Sequence, residues 1–401
     1  MKKEPIEKEP IRGLESVVAA NTELSFVDGQ NGKLYYRGYD IDELAGRISF
    51  EEVVHLLWFG ELPTEDQLCK LRSELVAEMR LPAQVYDLLR LTPPNANPMV
   101  VLRTAVSALG MYDPDGGSND EEANLRRAKR TLAQVATIVA CLYRVRCHLP
   151  PLSPDRKLNF AANFLYMFRG KQPDPLDQEV FDTTLVLHAD HGLAASTFAA
   201  RVTVSTLAGL HSAICAALAC LKGPLHGGAN TQVMEMLEEI GGLENVNAYI
   251  DGKLAFGEKI MGFGHRVYKT EDPRSQHLIK YSEMLCRRAG FEHLFDMSRR
   301  IEKLAFERKG IRPNVDFYSA TVQKALGIPK EYFTCIFSMS RTAGWVAHVM
   351  EQFRDNRLIR PTSHYTGGFD RQFVPIAERD LLSPDEPHSC SEFASALIDP
   401  L

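Results

Sequence analysis

The chain has 401 residues, 45% of them hydrophobic and 24% charged, with a net charge of −6. That length exceeds one minimal domain and suits a large domain carrying a smaller one, with ample apolar material for a core. The acidic balance excludes general attraction for nucleic acid or an anionic membrane surface, so only local basic sites remain as anchors for anionic ligands.

The chain opens Met1-Lys2-Lys3-Glu4-Pro5, without the apolar run that secretion needs. Eight cysteines (Cys69, Cys141, Cys147, Cys215, Cys220, Cys286, Cys335 and Cys390) include no C-x-x-C pair, so no disulfide framework is expected. A reducing cytoplasm is the expected location. Residues 24–28 and 33–37, separated by a Gly29-to-Gly32 turn, read as a small hairpin. Ser49 and Glu52 form a capping box opening a helix from Phe50 to Phe59 that Gly60 closes, and Thr64 with Gln67 repeats the device. Residues 113–124 and 149–155 are rich in Pro, Gly and acid and read as loops. Apolar spacing at three and four predicts long helical stretches at 126–147 and 181–221, then helices at 228–240, 273–290 and 293–309. Further helical runs fall at 317–325, 330–336 and 338–356, and a loop-like tail starts at Gly367 with Pro375, Pro384 and Pro387. Strand signals are confined to the N-terminus, so the fold class is all-α. Residues 202–221 carry no Asp, Glu, Lys or Arg over nearly a bilayer's thickness. Their Ala, Ser, Thr and Cys content and His211 favour a buried helix at a subunit contact.

Three polar islands interrupt the helices. In Lys222-Gly223-Pro224-Leu225-His226-Gly227-Gly228, a histidine stands among glycines and a proline, which suits close substrate approach better than packing. In Lys259-Ile260-Met261-Gly262-Phe263-Gly264-His265-Arg266, a second histidine follows a glycine within a basic stretch. That surplus of cations fits an anionic ligand, or else a solvated charge run. No dinucleotide fingerprint is present there, because a third glycine and a βαβ context are missing. In Arg312-Pro313-Asn314-Val315-Asp316, a carboxylate lies near a helix start. It reads either as a helix-start acid or, if buried in a cleft, as a base.

His188-Ala189-Asp190-His191 resembles a metal-ligand set, with positions 188 and 191 about one helical turn apart and Asp190 off that face. A zinc hydrolase using His188, His191, His226 and His265 is therefore an alternative from another class. A non-catalytic helical scaffold is a third, disfavoured by the isolated Gly-His loops. A serine hydrolase lacks its G-x-S-x-G.

Taken in order, the islands resemble the citrate synthase family over nearly the whole chain. The resemblance runs from Gly13-Leu14-Glu15 and Tyr36-Arg37-Gly38-Tyr39-Asp40-Ile41 through Pro98–Gly110 and His188–Gly192 to GPLHGGA. It continues through GFGHRVYKTEDPR and RPNVDFY to Ser340-Arg341, Arg360-Pro361 and Tyr365-Thr366-Gly367. It is closest to the compact dimeric branch of Gram-positive bacteria and archaea, which includes 2-methylcitrate synthases. The resemblance implies an all-α fold with a small N-terminal β-hairpin. A large helical domain (residues 1–227 and 328–401) would carry an inserted small helical domain (residues 228–327), and oxaloacetate would promote closure between them.

The same resemblance assigns roles. Asp316 would take the proton from the acyl-CoA α-carbon, His226 would hold the thioester oxygen, and His265 would polarise and protonate the ketone of oxaloacetate. His191, Arg274, Arg341 and Arg360 would bind oxaloacetate and citrate, with Arg360 reaching across a homodimer. Lys259, Ile260, Met261, Gly262, Phe263 and Gly264 would line the CoA site. The implied partners are oxaloacetate and acetyl-CoA, or propionyl-CoA, with no metal or other cofactor. These residue types suit the chemistry. A lone carboxylate cannot readily deprotonate a thioester, and a placed donor to the developing enolate is worth roughly 3–4 kcal/mol in other enzymes. Arginines grip carboxylates bidentately. Thr362 departs from the arginine found at that place in many relatives, which puts one cationic contact in doubt and leans faintly toward propionyl-CoA.

Overall fold

A computed structural model describes residues 10–373, 375, 376 and 379. Cys390, Pro384 and Pro387 lie outside the described residues. Residues 19–360 make one compact unit, and the described parts of 1–18 and 361–401 make a second, small one. The small unit holds a 3-10 turn at Arg12–Leu14, where Gly13 takes φ 68°, and otherwise loop.

The main unit is helical apart from one sheet. Strand β1 (Ser25–Asp28) pairs antiparallel with β2 (Lys33–Tyr36), from Ser25↔Tyr36 to Asp28↔Lys33. This is the expected hairpin. A two-residue β3 (Tyr39–Asp40) adds to the β2 edge, too short to leave any alternation in the sequence.

The first helices are α1 (Ile41–Leu44), α2 (Phe50–Phe59), α3 (Glu65–Glu78), α4 (Ala83–Leu91) and α5 (Pro98–Leu109). Then come α6 (Glu121–Arg146), α7 (Phe160–Arg169), α8 (Pro175–His188), α9 (Ala195–Ser205) and α10 (Leu210–Leu221). The remainder are α11 (Ala229–Ile240), α12 (Val246–Ala255), α13 (Pro273–Ala289), α14 (Glu292–Lys309), α15 (Val315–Ala325) and α16 (Phe333–Arg354).

Local chemistry accounts for several boundaries. Glu52 accepts the Ser49 backbone N–H at 2.7 Å, and Gly60 ends α2 with φ 92°. Thr64 and Gln67 cap α3 reciprocally. Asp120 accepts from Ala123 N at 2.8 Å, which starts α6 inside the stretch the composition assigns to a loop. The predicted run 181–221 is in fact three helices. It breaks at 189–194, where Gly192 has φ 57°, and at 206–209, where Leu207 and Gly209 have φ 66° and 86°. The break at 206–209 also cuts the candidate membrane segment, and no described helix is long and apolar enough to cross a bilayer. The predicted helices at 330–336 and 338–356 merge into α16 behind a 3-10 turn at Lys330–Tyr332.

Helix α16 forms the axis of the core. Every residue from Phe333 to Met350 is buried, and the helix packs on α2, α6, α8, α9 and α10. Trp58 of α2 donates to its Ala343 carbonyl at 3.0 Å. Each large side chain buried this way stabilises by roughly 1.5–3 kcal/mol. Such a helix is rigid, and it carries Arg341, Trp345 and His348 to the floor of the site. Helices α11 to α15 pack largely on one another, α13 and α11 against α15 and α12 against α14.

Candidate active site

The first island folds into a turn between α10 and α11. His226 N donates to Gly223 O at 2.9 Å and Gly227 N to Leu221 O at 2.9 Å. A side chain at Gly227 would fall 2.5 Å from the Leu221 side chain, so only glycine lets the turn close this tightly. The His226 ring is half-buried, with Nε2 at 2.8 Å from Ser196 Oγ and accepting the Ser196 backbone N–H at 3.3 Å. Trp345 Nε1 donates to the same Oγ at 3.2 Å, which turns the hydroxyl proton toward His226. Nε2 is thus the acceptor, and Nδ1 carries the ring proton. Burial, with the charge of Arg341, pushes the pKa of His226 down to about 4, so the ring is a neutral donor at pH 7. Ser196 and Trp345 were not singled out from the sequence. Their contribution appears only when α9 and α16 pack.

The second and third islands are bound to each other. Gly264 N donates to Arg312 O at 3.0 Å, Asn314 N to Gly262 O at 2.8 Å, and Asn314 Nδ2 to Gly264 O at 2.9 Å, while Phe263 and Pro313 form a bridge. Gly262 takes φ 77°, and a Cβ there would lie 2.7 Å from Val233 and 2.9 Å from Phe317. His265 leaves this ladder with Nδ1 accepting from the N–H groups of Val267 (3.0 Å) and Tyr268 (3.1 Å). Its proton therefore sits on Nε2. Burial and Arg274 push its pKa down to about 4, a second neutral donor.

His191, in the turn after α8, stacks edge-on to His265 with ring centroids 5.1 Å apart, and its Nε2 is 3.2 Å from the Tyr268 hydroxyl. Burial drives its pKa well down, and the charges of Arg274, His265, Arg341 and His226 push the same way, which shows how close these groups lie. Arg274 is buried and clamped by Asp272, Nε to Oδ1 at 2.9 Å and Nη2 to Oδ2 at 2.8 Å, with no hydrogen bond from Nη1 among the described residues. Arg341 is 1% exposed; its Nε donates to the His188 carbonyl at 2.7 Å, and no carboxylate pairs with it among the described residues. Burial lowers even this guanidinium to about 10. Two buried cations with unfilled donors suit a dianion.

Asp316 sits at the second position of α15, capped by Asn314. Its Oδ1 has no hydrogen-bond partner among the described residues, and burial raises its pKa to about 7, with Arg274 lowering, Asp272 raising and Arg341 lowering it. A carboxylate with a vacant oxygen and a neutral-range pKa is equipped to accept a proton.

The structure thus gathers His191, His226, His265, Arg274, Arg341 and Asp316. Arg360 is exposed, and no hydrogen bond or ion pair ties it to these groups. Of the stretch 259–264, Lys259 is exposed, Ile260 and Gly262 are buried, and Gly264 meets solvent. His188 belongs elsewhere: Nδ1 is 2.7 Å from Thr184 O, the ring packs on Phe337, and burial lowers its pKa to about 3. Position 191 lies past the end of α8, so the expected one-turn pairing of 188 with 191 does not form. Among the described residues no three His, Cys, Asp or Glu side chains are grouped to hold a metal ion, and His188, His191, His226 and His265 do not converge as a ligand set.

The family model for citrate synthase, C-terminal domain, matches residues 13–362. The chain belongs to the citrate synthase family. It is 47% identical over 369 residues to citrate synthase 2 of Bacillus subtilis, covering 92% of this chain and 99% of that one. It is 47% identical over 373 residues to the citrate synthase of Haloferax volcanii, covering 92% and 98%. The citrate/2-methylcitrate synthase of Bacillus subtilis is 42% identical over 356 residues, covering 88% and 96%. Among solved structures, citrate synthase from Pyrobaculum aerophilum superposes with TM-score 0.86 at 40% identity, covering 92% of this chain and 95% of that one. A ternary complex of carboxymethyl coenzyme A and oxaloacetate with citrate synthase from Thermoplasma acidophilum gives 0.88 at 34%, covering 93% and 100%. The chain is an enzyme, an acyltransferase of the citrate synthase type.

Proposed function

We propose that the enzyme condenses acetyl-CoA with oxaloacetate and water to give citrate and CoA. The observation that carries this reading is the meeting of three groups. These are a carboxylate with a vacant oxygen and a pKa of about 7, and two neutral histidines that each commit one ring nitrogen to the protein and keep the other N–H for a substrate. Asp316 removes the α-proton of the thioester as His226 Nδ1–H bonds the developing enolate oxygen. The enolate carbon attacks the ketone of oxaloacetate, whose oxygen is polarised by His265 Nε2–H and takes the proton as it becomes a hydroxyl. His191, Arg274 and Arg341 hold the carboxylates, and Arg360 does so from the partner of a homodimer. Water then cleaves the citryl thioester to citrate and CoA. In that step His265 recovers its proton from the attacking water and Asp316 gives the one it took to the departing CoA thiolate, so every proton moved has an acid or base in this set and the reading calls for no metal or other cofactor.

Residues 259–264, glycine-bearing and opened by Lys259, meet the CoA, and segment 228–327 acts as a small domain closing on the rest when oxaloacetate binds. Seven described cysteines are unbridged, in keeping with a reducing cytoplasm. A second reading, 2-methylcitrate synthesis from propionyl-CoA, draws on the relative named for both products. One methylene is worth only ~1–3 kcal/mol in a pocket. The deciding measurement is CoA-thiol release with acetyl-CoA and propionyl-CoA, each with and without oxaloacetate. Release that needs oxaloacetate supports condensation, and the larger kcat/KM names the acyl donor. Release that ignores oxaloacetate would make this a thioesterase.

A further inference from the structure

The N-terminal hairpin is far in sequence from every site residue, yet it touches both histidine-bearing turns. At its base, Ser25 Oγ donates to the buried Asp190 carboxylate and accepts the Gly192 N–H at 2.9 Å. Across the pair, the Tyr36 hydroxyl donates to Asp190 O at 2.9 Å and accepts the Asp190 N–H at 3.2 Å. His191 is the residue between these two anchors. Asp190 is held in turn by His348 of α16, whose Nε2 lies 3.3 Å from Oδ2. At the tip, Gly29 O accepts the Lys269 N–H at 2.8 Å. A Cβ on Gly29 would fall on the Val267 carbonyl, 2.8 Å from its carbon. A Cβ on Gly32 would lie 2.7 Å from Thr270 Oγ1 and 2.8 Å from Glu271 O. Val267 is also the residue whose N–H fixes His265 Nδ1, and the next residue, Tyr268, reaches His191.

We infer that the β1–β2 hairpin is a two-ended clamp that sets the His191–His265 spacing, with Gly29 and Ser25 as positioning residues for the oxaloacetate site. The base orients one ring and the tip orients the other, so both reacting-end contacts are referenced to a single rigid ribbon. Gly29 has no left-handed φ to preserve, so its requirement for hydrogen alone comes from the neighbouring carbonyl and not from backbone strain. This inference rests on the condensation reading for its kinetic consequence, though its structural content stands apart from it.

The test uses the full chain as wild type, Gly29→Ala, Ser25→Ala and, as a control at the exposed tip, Gln30→Ala. Two readouts are taken: steady-state kinetics with oxaloacetate varied, and the ring nitrogen NMR signals of His265 and His191. A misplacement near 1 Å costs about 10²-fold in rate, so Gly29→Ala is expected to lose about that much kcat/KM for oxaloacetate. The His265 ring signals should shift in Gly29→Ala and those of His191 in Ser25→Ala, with Gln30→Ala changing neither readout. Unchanged kinetics and unchanged ring signals in Gly29→Ala would overturn the clamp. Should Gly29→Ala not fold, Ser25→Ala decides by the same readouts, unchanged kinetics and unchanged His191 signals overturning the clamp. If wild type shows no oxaloacetate-dependent CoA release, the condensation reading falls, and the ring signals alone then judge the clamp.

Discussion

At the scale of single residues, burial does most of the chemical tuning. Asp316 sits where the start of α15 would favour its anion, yet loss of solvent dominates and lifts its pKa to about 7. A base must be ionised to act, so kcat/KM for the acyl-CoA should fall as pH drops below about 7. Asp316→Asn should cut kcat by ~10²–10⁴-fold while oxaloacetate binding persists, since general-base catalysis supplies about that factor. Near-normal turnover would remove Asp316 as the base. The same shift carries a stability cost. Between its unfolded pKa of 3.8 and about 7, the folded protein holds the extra proton, so this group's contribution falls as pH rises through that window. Asp316→Asn should therefore melt higher than wild type at pH 8, the opposite of what losing a structural residue does. Arg274 differs, because it satisfies both substrate and protein. Arg274→Leu should raise the oxaloacetate KM and also destabilise by about 3–5 kcal/mol by stranding buried Asp272. Adding Asp272→Asn should recover melting temperature without recovering KM. Recovery of both would place Arg274 outside the binding site.

At the scale of elements, the site depends on short ladders between loops rather than on any one helix. The bridge between 262–264 and 312–314 ties His265 to Asp316, and Gly262 is its tightest point. Gly262→Ala pairs a left-handed φ with a clash against Val233 and Phe317, so it should cost about 1–3 kcal/mol. Turnover should fall with it, whereas removal of the distant Ser49 cap by Ser49→Ala should cost ~0.5–2 kcal/mol with kcat intact. Equal kcat losses in both variants would mean activity merely follows stability. This is also where the sequence was legible and where it was not. Capping residues, glycine stops and the hairpin announced themselves because their signals are local. Helix α7, FAANFLYMFR, is ten residues long and nearly all buried, too short a run for periodicity to separate from a buried strand. The break at 189–194 is held by Tyr36 and Ser25, and at 206–209 the Leu207 carbonyl accepts from Asn119 Nδ2 at 3.4 Å, distant partners that leave no local signal. The gathered histidines, arginines and aspartate were legible only through the order of the islands. Ser196 and Trp345, which set the His226 tautomer, left no local mark at all.

At the scale of the whole molecule, the neutral histidines make acid the expected weakness. Burial pushes His188 to about 3 and His211, His226 and His265 to about 4, and His191 also well down, from an ordinary 6.5. The unfolded chain takes up protons at these sites below pH 6.5 while the folded one does not, so stability should drop steadily from pH 6.5 toward 4. Asp316, Asp182, Glu51 and Glu78, each raised by burial, work in the other direction and offset part of this drop, four groups against five. Oxaloacetate, if it binds the folded form alone, should offset part of the loss by mass action. A melting temperature that climbs from pH 6.5 toward 4 would contradict the burial of these rings. Assembly gives the sharpest test, because Arg360 is exposed and untied to the site of its own chain. If it completes the partner's site, Arg360→Leu should leave folding intact and cripple oxaloacetate use. Mixing Arg360→Leu with Asp316→Asn subunits then builds hybrid dimers in which one site has both native residues and the other has neither. Random exchange makes about half the dimers hybrids, each with one of two sites whole, so activity should climb to about a quarter of wild type. If Arg360 serves its own subunit instead, every hybrid site lacks one residue. Mixing then leaves the activity no higher than the two variants' residual rates.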